Sequence, residues 1–259
     1  MIRQSSMSCD ERDRLFRSFQ QRKFNPKRSV PAVSMTTTAD ISRLLASRVK
    51  HNADPCCKAK VTLTHFVIKA VGMALEDRPT FYSAFHHGEI VPAASIRINV
   101  PVAEGNHVEY IVIDSPQSRS IDEIALFVAS EVALIREGKG RFCSKLREGL
   151  RTPRALRAVL SMSSKLYLRE YNRDYGNFPI TNFGSFGVES GIPTIASPVI
   201  SALCIGRAKD ACAQLLPLTL VLDHRCIDGA EGGRFLGALK QSLENGAEKL
   251  LPEASRSAF

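Results

Sequence analysis

The sequence switches repeatedly between two hydrophobic periods, and that alternation limits the possible folds more than any other feature. Leu63, Phe66, Val67, Ala70, Val71, Ala74 and Leu75 recur at 3/4 spacing, which predicts a helix over 62–76, closed by Arg78-Pro79. Gly229–Asn245 repeats the pattern, with Phe235, Leu236, Leu239 and Leu243 on one face. Strands are expected at 30–38, 96–100, 108–113, 177–182, 195–207 and 216–223. Two shorter ones, 80–85 and 89–91, would be joined by a turn at His87-Gly88. Ser120-Ile-Asp-Glu123 has the form of a capping box and opens a helix to about Glu137. Further helices are expected at 11–23, at 39–50 with Asp40 helping to start it, and through 139–174 with a break at Thr152-Pro153. With no internal repeat and no long linker, residues 1–259 read as a single α/β or α+β domain.

Charge adds a second constraint. The 259 residues hold 35 Lys/Arg against 26 Asp/Glu, a net +9. Residues 1–30 contribute eight basic and three acidic side chains, and 139–174 contribute ten and three; the remainder is slightly acidic. A basic arm over 1–29 and a basic helical segment over 139–176 therefore ride on a near-neutral body. In the helical segment Arg151, Arg154, Arg157, Lys165, Arg169 and Arg173 alternate with leucines. Such a face can be merely solvated, can recruit an acidic carrier protein or the phosphates of a cofactor, or can touch an anionic membrane. Nucleic-acid binding is disfavoured, because no recognition motif or aromatic-basic sheet accompanies the charge.

Several classes drop out. No apolar run reaches the roughly 20 residues of a membrane-spanning helix. Met1 to Asp13 lacks the apolar centre of a secretory signal, and Asp10, Glu11 and Asp13 disfavour a mitochondrial presequence. The seven cysteines include no C-x-x-C pair, so neither a disulfide framework nor a metal site is expected, and reduced thiols in a cytoplasm are. Phosphate-binding glycine loops are absent from the sequence.

Two segments could carry chemistry. In Leu222-Asp-His-Arg-Cys-Ile-Asp-Gly229 an apolar strand runs into His224, with Asp228 four residues on and a helix beyond. A strand-to-helix junction projects side chains from a rigid frame, and histidine titrates close enough to cellular pH to act as a general base. An ordinary loop histidine beside an Asp223–Arg225 ion pair would have the same spacing. In Phe178-Pro-Ile-Thr-Asn-Phe-Gly-Ser-Phe-Gly187, Thr181 closes a strand before a glycine-rich turn. Its hydroxyl could donate to a developing oxyanion, or simply belong to the strand.

Taken together these segments carry a resemblance. Asp223-His-Arg-Cys-Ile-Asp-Gly229 resembles the D-H-R-x-x-D-G motif of the dihydrolipoamide acyltransferases, the catalytic cores of 2-oxo acid dehydrogenase complexes. Ile180-Thr-Asn-Phe-Gly-Ser-Phe-Gly187 is similar to their I-S-N-L-G-x-F-G, Ile205-Gly-Arg207 continues the match, and Phe66-Val-Ile-Lys-Ala-Val71 resembles their F-L-I-K-A-V helix. The resemblance implies the chloramphenicol acetyltransferase-like fold, a two-layer sandwich of a mixed β-sheet with helices packed on it. It implies His224 as the base that deprotonates a thiol or hydroxyl, Thr181 as the oxyanion donor in place of a serine, and Asp228 as support. It also implies a homotrimer with the site between subunits.

The chain departs from the family at Asn106-His-Val-Glu-Tyr110, where G-L-x-x-P is expected, and in the basic segment. From its length, the chain is expected to lack the lipoyl and subunit-binding domains of the complexes. The expectation is thus a free-standing acyltransferase with no tightly bound cofactor, using a coenzyme A thioester rather than a lipoyl group on another protein. A catalytically silent trimeric scaffold, or a subunit of a larger acyltransferase assembly, is the rival. Other polar residues are expected to be bland: His65 structural, His86-His87 a solvated turn, His107 on the surface, Cys226 a core thiol, and Asp223 with Arg225 holding their loop.

Overall fold

The computed structural model describes residues 8–24, 30–55, 57, 59–151, 164–210, 214–246 and 250–251. Its helices are α1 Cys9–Lys23, α2 Ser42–Ala53, α3 Leu63–Leu75, α4 Pro79–Tyr82, α5 Ile121–Arg136, α6 Arg141–Arg151, α7 Ser164–Tyr175 and α8 Gly229–Asn245. The strands are β1 Ala32–Asp40, β2 Ala84–His86, β3 Glu89–Val91, β4 Arg97–Glu104, β5 His107–Asp114, β6 Phe178–Asn182, β7 Ser201–Ile205, β8 Lys209–Asp210 and β9 Gln214–Asp223.

One mixed sheet runs in the order β1-β9-β7-β6-β4-β5, with β8 paired to the start of β9, and β2-β3 forms a separate hairpin. The β7–β6 and β6–β4 pairs are parallel and the others antiparallel. Along β9, Leu216, Leu218, Leu220 and Leu222 enter the main core, with Phe66, Leu75, Phe235 and Leu239 of α3 and α8. Val221 points the other way, into a smaller cluster with Ile195, Val199, Ala202 and Tyr171. Both faces are covered, which is why this strand is apolar almost throughout. A third cluster joins Phe16 and Phe19 of α1, Phe142 and Leu146 of α6, and Tyr110 of β5. The apolar face of α6 is therefore spent on the body of the protein.

Local chemistry accounts for the element ends. The capping box at Ser120 is formed, with Ser120 N–H donating to Glu123 at 2.7 Å and Glu123 N–H to Ser120 Oγ at 3.2 Å. Asp40 starts α2 by accepting the Ser42 N–H at 2.9 Å. Lys69, half-buried on α3, donates to the carbonyls of Gln117 (2.6 Å) and Arg119 (2.7 Å), so the lysine of the 66–71 motif ties a loop to the helix.

Two expected strands differ from the fold. Residues 80–85 are not a strand: Pro79, which ends the preceding helical stretch, also occupies the first turn of α4, and pairing begins at Ala84. Residues 195–200 are not a strand either, because Pro198 brings no ladder donor and β7 starts at Ser201. The break at Thr152-Pro153, with Arg154 and Arg157, lies outside the described residues.

His65 is buried at the third position of α3, where its Nδ1 accepts the Thr62 N–H at 3.2 Å. Burial lowers its pKa to about 4. The unfolded chain takes up this proton near pH 6.5 and the folded one only near 4, so stability is full above 6.5 and falls as pH drops between those values. Urea unfolding at pH 7.5 and 5 should show this loss, at up to about 1.4 kcal/mol per pH unit, and His65→Gln should flatten it while keeping a capping acceptor.

Candidate active site

His224 follows directly on β9, and the frame around it is rigid. Asp223 N–H donates to Ile200 O at 2.8 Å and His224 N–H to Pro31 O at 2.9 Å, extending the pairing on both sides of the strand. Cys226 and Ile227 N–H groups turn back onto Asp223 O at 2.9 and 3.1 Å. The Asp223 carboxylate is buried, 1% exposed, and is gripped by Arg225 through contacts of 2.6 to 3.2 Å. The guanidinium lies over the Phe85 ring at 4.2 Å. These two residues hold the loop, as expected. Cys226 is half-buried, and burial lifts its thiol to about 11, which disfavours it as a nucleophile.

The imidazole of His224 is exposed at the end of this frame. Its Nδ1 lies 3.1 Å from Ile227 O. A carbonyl only accepts, so in the neutral ring the proton sits on Nδ1 and the lone pair on Nε2. That is the tautomer a general base needs.

Asp228 has a different place from the one expected of a direct supporter. It is the N-cap of α8, where its carboxylate accepts the Glu231 N–H at 2.8 Å and so serves that helix rather than the His224 ring.

Thr181 is half-buried near the end of β6. Beside it Asn182 donates from Nδ2 to Thr64 Oγ1 of α3 at 3.0 Å and accepts the Ser185 N–H at 3.0 Å. The turn at Phe183–Phe186 presses on the end of β7: a Cβ on Gly184 would overlap the Gly206 carbonyl. The glycines of I-T-N-F-G and I-G-R are thus two sides of one close contact. Asn182 and Thr64 escape a reading of the sequence, because their link depends on α3 and β6 being neighbours.

Thr181 and His224 do not meet within one chain. Thr181 is opposite Cys204, which is opposite Thr219, and His224 lies five residues further along β9. That places them about 17 Å apart along the strand and about 10 Å across two strand spacings. Of the histidines expected to be bland, His65 is structural, while His107 is buried at 2% exposure instead of lying on the surface. Its partner is Asp13 of α1, brought over β5 by the packing of α1 on α6.

The strand order and the placement of the helices define a chloramphenicol acetyltransferase-like fold. Chloramphenicol acetyltransferase itself aligns with TM-score 0.54 and 14% identity, covering 93% of this chain and 99% of that one. The cubic core of the pyruvate dehydrogenase multienzyme complex is similar with TM-score 0.72 and 22% identity, covering 97% of this chain and 95% of that one. The chain belongs to the family described as 2-oxoacid dehydrogenases acyltransferase (catalytic domain), whose model matches residues 16–144 and 158–251. The basic segment is therefore interrupted in the match only between 144 and 158. Relatives include the dihydrolipoyllysine-residue acetyltransferase component of the Bacillus subtilis acetoin cleaving system, 28% identical over 85% of this chain and 51% of that protein. The corresponding pyruvate dehydrogenase component of Acholeplasma laidlawii is 31% identical over 72% of this chain and 31% of its own length. The chain spans about half or less of the length of these relatives. Among the described residues no helix is long and apolar enough to cross a membrane.

The two roles open to Asp228 separate by substitution. Asp228→Ala should destabilise by about 1 kcal/mol through the lost cap, and Asp228→Ser should restore most of that. If Asp228 supports the reaction through that cap, turnover should recover with stability in Asp228→Ser; turnover that stays low despite restored stability would show a role beyond the cap.

Proposed function

We propose that this protein transfers an acyl group from a thioester, a coenzyme A thioester foremost, to a thiol, hydroxyl or amine acceptor. The observation that carries the reading is the 3.1 Å approach of His224 Nδ1 to Ile227 O, which places the neutral ring's proton on Nδ1 and leaves Nε2 to accept another. Nε2 takes the proton of the acceptor, and the resulting nucleophile attacks the thioester carbonyl. The tetrahedral oxyanion accepts a hydrogen bond from the Thr181 hydroxyl. Collapse of that intermediate expels the donor's thiolate, which recovers a proton from the His224 imidazolium.

The separation of Thr181 from His224 within one chain supports a site assembled between copies, Thr181 of one facing His224 of the next. A homotrimer, as the family resemblance implies, is the assembly we infer. Asp228 would act through the loop: capping α8 fixes the segment whose carbonyl orients His224. We place the protein in a reducing cytoplasm, in keeping with the free thiols Cys9, Cys57, Cys143, Cys204 and Cys226.

Thiol release from a panel of acyl-CoAs, with and without small thiol, alcohol and amine acceptors, tests the reading. His224→Ala should lower turnover by about 10²- to 10⁴-fold. Thr181→Val should lower it by about 10²- to 10³-fold, equivalent to about 2.7–4 kcal/mol of barrier. Turnover within a few-fold of wild type in His224→Ala would refute the mechanism, and wild-type inactivity with every donor, lipoyl thioesters included, would favour a silent scaffold.

A further inference from the structure

Strand β5 breaks its own pattern at one end. Its inward row is His107, Glu109, Ile111 and Ile113. The two isoleucines enter the main core, whereas the first two positions put an imidazole and a carboxyl where the alternation calls for apolar side chains. Both are nearly fully buried, at 2% and 1% exposure. Buried polar groups cost free energy unless they are partnered, and here only half the polar atoms are. Glu109 Oε2 accepts the N–H groups of Phe142 (3.1 Å) and Cys143 (3.4 Å) in the first turn of α6. His107 Nδ1 lies 3.0 Å from Asp13 Oδ1. Glu109 Oε1 and His107 Nε2 are buried with no hydrogen-bond partner.

The buried thiol of Cys143 completes the group. One ligand atom each from His107, Glu109 and Cys143 lies within 4.8 Å of the other two. The Glu109 carboxyl packs directly against Gly140, where a Cβ would overlap it, so the glycine lets the carboxyl reach the start of α6.

We propose that His107, Glu109 and Cys143 bind one divalent transition-metal ion of the zinc type, which fastens α6 to β5. Imidazole, carboxylate and thiolate together form a donor set suited to such an ion. The Asp13 carboxylate accepts Nδ1–H from His107, so the lone pair lies on Nε2, the nitrogen offered to the metal. Charge closes as well. Asp13, Glu109 and a Cys143 thiolate carry three negative charges, and Arg12, which acts on the same thiol, together with a divalent ion carries three positive. Binding replaces the S–H bond by a sulfur–metal bond and releases one proton to solvent. The cysteine spacing gives no hint of such a site because its ligands come from β5 and α6, with the whole of α5 between them.

The test uses the tag-free full chain, stripped with a chelator and titrated with Co²⁺ alone. The expected result is one Co²⁺ per chain, with thiolate-to-cobalt charge-transfer absorption that stoichiometric Zn²⁺ abolishes. Cys143→Ser should lose that absorption, Asp13→Asn should weaken binding about 10- to 100-fold, and Cys57→Ser should change neither. Failure of the wild-type chain to take up Co²⁺, or survival of the charge-transfer absorption in Cys143→Ser, would overturn the proposal and leave His107 and Glu109 as buried groups held by Asp13 and the start of α6 alone. Should Cys143→Ser fail to fold, Cys9→Ser and Cys57→Ser decide the question, because Cys9 lies near Asp13 and His107, and Cys57 near His51 and Asp122, as rival donor groups. Absorption unchanged in both variants supports the Cys143 site, and its loss in either overturns the proposal.

Discussion

Strand β9 is hydrogen-bonded along most of its length on both sides, to β1 and to β7, and covered on both faces. It ends at a carboxylate that has left water almost completely. Burying the Asp223 charge is costly, and Arg225 offsets it with hydrogen bonds while lying on Phe85 of the β2-β3 hairpin. The same turn returns its N–H groups to Asp223 O and presents Ile227 O to His224. Removing the ion pair would therefore disturb more than a local charge: it would loosen the carbonyl that sets the histidine's tautomer.

From that anchored end the rest of the site follows by register. The sheet carries Thr181 on β6, two strands away and well down the strand from His224, and the 183–186 turn locks against β7 through the Gly184–Gly206 contact. A single copy of the chain presents the His224 imidazole at one place and the Thr181 hydroxyl at another. The chemistry proposed for them needs a reacting carbonyl about 3 Å from each, a distance that the proposed pairing of two copies would close.

Much of this is legible in the amino-acid order alone. The 3/4 spacing of 63–75 and 229–245, the capping box at Ser120 and the strand running into His224 are local signals, and each element forms within a few residues of its expected place. Sequence and structure part where tertiary context outweighs local pattern. Thr80 to Tyr82 have strand-like side chains, yet Pro79 sets a helical turn there. His107 is buried rather than exposed because α1 covers β5, a contact that the strand's own residues do not reveal. Asp228 sits inside a motif that points to chemistry, and its capping of α8 emerges from the structure, although Asp before a helix is a recognised N-cap signal. Thr181 and His224 are each visible as motif residues, but their separation depends on strand order.

If the base and the oxyanion donor of one active site come from different copies of the chain, two inactive variants should complement each other. Mixing His224→Ala with Thr181→Val chains by co-expression or co-refolding measures this directly. In a trimer with random assortment, the equal mixture should recover about one quarter of wild-type turnover although each variant alone keeps about one hundredth or less. A mixture no more active than the average of its two parents would contradict a shared site.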